Sequence, residues 1–200
     1  MEHAHAHGAW GYHQFEKPTE VLSDEHRVIE RVLAAVEKLL AAPPVPSLSH
    51  WKKALEFISN FADQCHHLKE EKLLFPAMEA HGIPREGGPI GVMLMEHEEG
   101  RSHVRAMRAA VEGLERGDNG GVESLLSHAR GYLRLLKEHI QKEDEILFRI
   151  ADDCIPAGEQ TALLKSFEEH ETREMGAGVH EKYLAIAQDL EAALNKSNES

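Results

Sequence analysis

Apolar residues recur along most of the chain at spacings of three and four, the period of a helix with one buried face. The first such run, from about Thr19 to Ala42, places Leu22, Ile29, Leu33, Val36 and Leu40 on one stripe and stops at Pro43-Pro44-Val45-Pro46. A second starts from a Ser47 or Ser49 cap and reaches about His81, with Pro76 as a candidate kink. A third covers about Pro89 to Arg116 and ends at Gly117-Asp118-Asn119-Gly120-Gly121; a fourth covers about Val122 to Asp153 and ends at Pro156-Ala157-Gly158. A fifth helical stretch, about Glu159 to Leu194, is broken or bent near Gly176-Ala177-Gly178. Period-two alternation is nearly absent. Four long helices on short loops predict an all-α, antiparallel up-down-up-down four-helix bundle with an additional C-terminal helix. The expected division is a His-rich segment at 1–18, the bundle at 19–155, and the C-terminal helix and tail packed on it at 156–200.

Polar residues interrupt each apolar stripe at one level. His26 falls between Leu22 and Ile29 on the first helix. The second runs Leu55, Ile58, Ala62, His66, Glu70, Leu73, Ala77; the third runs Ile90, Met93, His97, Gly100, Val104, Met107; the fourth runs Leu136, His139, Glu143, Ile146, Ile150. Any one such histidine reads as a core imidazole bonded to a neighbour. Four imidazoles and two carboxylates aimed into one core would carry a heavy desolvation cost unless something paired them, and a metal centre does so. Imidazole with carboxylate suits iron, manganese or zinc.

The halves of the chain repeat. A shift of 73 residues lays His66-x-x-x-Glu70-x-x-x-Leu74-Phe75 on His139-x-x-x-Glu143-x-x-x-Leu147-Phe148, with Lys69 on Lys142, and a shift of 71 lays Glu25-His26 on Glu96-His97. Two hairpins of pattern H…HxxxE related by a pseudo-twofold axis predict a symmetric site for two metals. The repeat also selects His66/Glu70 over the adjacent His67/Glu71, whose helical companions Asn60, Asp63 and Gln64 form a solvent-like face; His67/Glu71 remains a possible supporting pair.

Composition changes this picture in one respect: 15 of the 200 residues are histidine. The net charge of −13, from 22 Lys and Arg against 35 Asp and Glu, disfavours nucleic acid and anionic membrane surfaces as partners. No apolar run is long enough for a membrane span, and the first twenty residues lack the apolar core of a secretory signal. Two cysteines, Cys65 and Cys154, make no disulfide framework, so the expected location is cytoplasmic.

Asp24-Glu25-His26-Arg27, Cys65-His66-His67-Leu68-Lys69-Glu70-Glu71, Glu96-His97-Glu98-Glu99-Gly100-Arg101 and His139-x-x-Lys142-Glu143 together resemble the hemerythrin-like family of HHE cation-binding domains, over about Val21 to Asp153. The resemblance implies two non-haem iron ions, with His26, His66, His97 and His139 as terminal ligands and Glu70 and Glu143 as bridges. Manganese and zinc remain open. It implies a small diatomic ligand or peroxide as partner: binding or sensing of O2, nitric oxide or peroxide, or alternatively a di-iron oxidase or peroxide-decomposing enzyme, or an iron-dependent regulatory or iron–sulfur repair module. Glutamate following histidine argues against the ferritin type, which uses ExxH. Oxygen carriers of the family place a second histidine one turn after the first on the third helix; this chain has Arg101 there, which predicts an open or water-filled position beside Gly100.

Glu25 and Glu96 leave two readings open, acceptors for the ligand histidines or solvent-exposed charge. Tyr132 reads by default as core filler, with a phenol hydrogen bond to a metal-bound ligand as the alternative. His103 reads as a surface histidine or one that supports a ligand, the His170/Glu174 pair as surface, and Cys65 as inert packing. In the N-terminal segment that also carries His13, His3, His5 and His7 form either a weak flexible chelator or a tail without function.

Overall fold

A computed structural model describes residues 12–41, 47–118, 120–174, 176 and 179–196, and contains no strand among them. The N-terminal histidines His3, His5 and His7, the side chain of His13, and the Pro43–Pro46 stop lie outside the described residues. After a short 3-10 turn at Tyr12–Gln14 come α1 (Pro18–Ala41), α2 (Leu48–Phe57), α3 (Phe75–Ala80), α4 (Pro89–Glu115), α5 (Gly121–Lys142), α6 (Phe148–Cys154), α7 (Ala157–Glu174) and α8 (Val179–Lys196). The fifth predicted stretch is therefore two helices, α7 and α8.

The second and fourth predicted helices are continuous but not uniformly α. Between α2 and α3 the backbone is π-helical over Ile58–His67 and Glu70–Leu74, and between α5 and α6 over Glu143–Leu147. The wide turns at Glu70–Leu74 and Glu143–Leu147 each advance the buried stripe by one residue. Leu74 and Met78 are buried in place of Leu73 and Ala77, and Leu147 and Ala151 in place of Ile146 and Ile150, with Ile146 left 54% exposed. Pro76 follows directly on such a turn, in the first turn of α3.

Local signals at α4 behave as the sequence indicates. Pro89 opens it, where an absent N–H costs nothing. Gly117 closes it at φ +89°, the left-handed conformation that lets Asp118 N–H reach back to Gly113 O at 3.0 Å.

α4 lies along α5; α1 packs on α5 and α8; α2 packs on α4 and α8. The core divides into two apolar clusters. One is built around Ile29, Leu33, Trp51, Phe57, Met107 and Leu136, and the other around Leu22, Phe75, Met78, Ile90, Phe148 and Phe167. On α1, His26 falls between Leu22 of the second cluster and Ile29 of the first; on the other helices the remaining histidines and glutamates fall at the same boundary.

Candidate metal centre

His26, His66, Glu70, His97, His139 and Glu143 converge in that polar layer, each no more than 2% exposed. Their ring Nε2 atoms meet in two pairs, His26 with His66 at 3.0 Å and His97 with His139 at 3.2 Å. Each carboxylate straddles the pairs. Glu143 lies 3.2 Å from His26 Nε2 with one oxygen and 3.1 Å from His139 Nε2 with the other; Glu70 lies 3.8 Å from His66 Nε2 and 3.4 Å from His97 Nε2. None of these four carboxylate oxygens has a hydrogen-bond donor in good geometry, although all are buried. Two faces of the layer are closed by parallel aromatic rings, Phe148 on His26 and Phe75 on His97, which the repeat relates to one another.

Behind every ring stands a carboxylate from another helix. Nδ1 of His26 meets Asp144 at 2.9 Å, that of His66 meets Glu25 at 2.9 Å, that of His97 meets Glu71 at 2.8 Å, and that of His139 meets Glu96 at 2.9 Å. An ionised carboxylate only accepts, so each Nδ1 carries a proton and each neutral ring presents a lone pair at Nε2. Two lone pairs facing each other at about 3 Å repel, and a cation between them, a proton or a metal, removes the conflict.

In the metal-free protein protons fill this role. Burial opposes charge on His26, but Asp144 and Glu143 outweigh it and raise the ring to about 9. Burial likewise opposes charge on His139, and Glu143 and Glu96 raise it to about 9. Burial and the neighbouring His26 charge hold His66 well below the ordinary histidine value. Burial and the nearby Glu143 carboxylate push Glu70 well above the ordinary carboxylate value, while His139 and His26 keep Glu143 ionised against burial. The donor set fits a pair of cations. Donor atoms of His26, His66, Glu70 and Glu143 lie within 4.8 Å of one another, as do those of His67, Glu70, His97 and His139.

The structure resolves both open readings of Glu25 and Glu96: both are acceptors. Glu25 is fully buried, and each takes a lysine on its second oxygen, Lys69 for Glu25 and Lys142 for Glu96. Asp144 was not identified from the sequence, although the repeat of Glu70-Glu71 as Glu143-Asp144 held the signal. The solvent-like face expected for His67 is corrected, since His67 is 6% exposed and its ring stacks on His97 at 4.0 Å, and with Glu71 on His97 Nδ1 the pair takes the supporting place left open for it. His66 and His67, consecutive at the end of the wide Ile58–His67 segment, both face the interior, as Glu25 and His26 do on α1. His170 is also buried, at 7% exposed, against the surface expectation; the side chain of Glu174 lies outside the described residues. His103 pairs with His128 at 3.1 Å. Cys65 is buried, which pushes its thiol up and away from reactivity. Tyr132 is 2% exposed and lines a cavity of about 210 Å³ that ends at His67, His97 and His139.

This constellation is that of a cation-binding helical domain, and the chain belongs to the hemerythrin family: the model of the hemerythrin HHE cation binding domain matches residues 17–151. Uncharacterized proteins of Mycobacterium bovis and Mycobacterium tuberculosis are 25% identical to it over 181 residues, covering 88% of this chain and 69% of theirs. The iron-sulfur cluster repair protein YtfE of Dickeya chrysanthemi is 29% identical over 85 residues, covering 42% of this chain and 38% of its own. No solved structure gives a significant match. Among the described residues no helix is long and apolar enough to cross a membrane.

Proposed function

We propose that the chain is a non-haem di-iron protein that binds or senses O2, nitric oxide or peroxide. His26 and His66 would hold one ion and His97 and His139 the other, with Glu70 and Glu143 spanning both, in a bundle of up-down-up-down order. The carrying observation is the pair of opposed Nε2 atoms, each ring fixed from behind by a carboxylate, with two buried carboxylates lacking donors between them. When bound, such a centre supplies redox chemistry and coordination positions for small ligands. The protein's own part is to orient the rings through Asp144, Glu25, Glu71 and Glu96, to exclude bulk water with Phe75 and Phe148, and to leave one approach beside Tyr132.

A second reading, action in iron–sulfur cluster repair, draws support from the partial likeness to the Dickeya repair protein. The deciding experiment is iron content with a visible spectrum, before and after reduction and re-exposure to air. About two irons per chain and an oxygen-dependent charge-transfer band are expected. Iron that ignores oxygen but answers to nitric oxide narrows the first reading to that ligand, and a chain free of iron after expression in iron-replete cells overturns both.

A further inference from the structure

The two halves of the centre repeat closely but break symmetry at two positions. By the 73-residue shift His67 corresponds to Ile140, and by the 71-residue shift Gly100 corresponds to Ile29. Both isoleucines are buried, at 3% and 2% exposed. Side chains that fill space in the half bounded by His26 and His66 are therefore replaced, in the half bounded by His97 and His139, by a ring with polar atoms and by no side chain at all.

Both replacements border the same cavity. It runs from the exposed Arg105, between Gly100 and Tyr132, to His67, His97 and His139. A Cβ built at Gly100 would meet the Tyr132 ring at 3.6 Å and Leu135 at 3.8 Å, so alanine fits there and any longer side chain has to extend into the cavity. At about 210 Å³ the space exceeds what one water occupies several times over. On its wall, His67 is buried with its Nδ1 lacking a hydrogen-bond partner; Asp63, at 3.7 Å, is too far and is already taken by Arg101 at 2.8 Å. The ring lies flat on His97, 16° from parallel. Stacked rings do not share a plane in which one ion could meet both, so His67 is placed beside the ion rather than on it.

We propose that a small hydrogen-bond-accepting molecule, an anion or a diatomic, is admitted only at the His97/His139 half of the centre, and that His67 donates the hydrogen bond that holds it there. This rests on the metal reading above and goes beyond it by making the two ions inequivalent. An unpaired buried donor is costly unless a ligand or water serves it, which gives His67 a reason to be where the repeat puts isoleucine.

The test uses the iron-loaded full chain, with azide and nitric oxide as probes followed by visible titration and iron counted in the same samples. Gly100→Leu is expected to keep its iron and to weaken azide binding at least tenfold. His67→Phe, which preserves the stack on His97, is expected to keep its iron and to weaken azide at least threefold. If Gly100→Leu does not fold, Val104→Phe fills the same cavity and carries the same expectation. Full iron with unchanged azide binding in these variants overturns the inference, as does an iron-loaded wild type that takes neither probe. Loss of one iron from His67→Phe would make His67 a ligand and overturn its role as donor. A wild type without iron overturns the underlying metal reading, a failure visible before any probe is added.

Discussion

Glu25 holds His66 Nδ1 at 2.9 Å with one carboxylate oxygen while its other oxygen takes the Lys69 ammonium, and all three side chains are at most 1% exposed. The repeat builds the same triplet from Glu96, His139 and Lys142, but there Lys142 is 35% exposed. Identical chemistry thus stands in two solvent environments, and the consequences of breaking it differ. Glu25→Gln leaves a fully buried lysine with Glu171, at 3.2 Å, as its remaining carboxylate, and is expected to destabilise the fold by on the order of 3 kcal/mol. Glu96→Gln is expected to cost about 1 kcal/mol or less, because water serves Lys142. Both should weaken metal binding roughly ten- to hundredfold, since each loosens the ring it orients. Denaturant titration and metal competition on both variants check the contrast; equal losses of stability would contradict it.

Stability of the metal-free protein should fall as pH rises through the weakly alkaline range. His26 and His139 have folded-state values of about 9 against an ordinary 6.5, so their contribution is fully present below 6.5 and disappears as pH rises through 9. Each shift corresponds to on the order of 3 kcal/mol. Glu70, raised well above its ordinary value, acts with the same sign. Urea midpoints measured in chelator between pH 6.5 and 9.5 are expected to decline steadily, and the metal-loaded protein to show no such decline. A metal-free midpoint that is flat or rising over this window would exclude the proton-filled centre.

Metal uptake at neutral pH should expel those same protons. His26 and His139 each give one up when a cation takes their lone pairs, so release should approach two protons for the full centre, with the raised Glu70 adding to it in the same direction. Calorimetry of metal binding in buffers of different ionisation enthalpy measures this number directly. Release below one would mean that the opposed rings are neutral in the metal-free state.

The polar layer was legible in the sequence because Ala62, His66 and Glu70, and likewise His139 and Glu143, follow one another at steps of four along the buried stripe, a step that the wide Ile58–His67 segment leaves intact. Up to Glu70 and Glu143 the residues expected inside are buried. Beyond them the expectation fails: Ile146 was expected inside and is 54% exposed, and Leu147 is buried instead. A hydrophobic period cannot reveal i→i+5 hydrogen bonds, because they leave composition unchanged and merely insert one residue into the count. His67 was hidden by its helical companions: Asn60, Asp63 and Gln64 read as a solvent-like face, whereas its ring stacks on His97 in the interior. The carboxylates behind the rings were half legible. Glu25 and Glu96 stood out by adjacency to repeated histidines, whereas the role of Asp144 depends on which face it takes after the pitch changes.

If the wide turn at Glu143–Leu147 serves the site rather than the fold, removing it should separate the two. Glu145 lies in that turn, is exposed, and accepts a hydrogen bond from Gln141 at 3.1 Å. Deleting Glu145 restores α-helical spacing and brings Leu147 and Ala151 to the inward positions that a 3.6-residue period assigns, so the apolar cluster around Phe148 keeps its partners. The helix would also lose the local geometry that aims the two oxygens of Glu143 at His26 and His139. Helical content should match the parent chain and the melting temperature stay within a few degrees, while metal affinity falls tenfold or more, as expected where a π-turn is retained at a functional position. Circular dichroism with a chelator competition assay reads both quantities on one sample. Unchanged metal affinity in the deletion variant would show that the wide turn is a packing adjustment, and that Glu143 reaches its place without it.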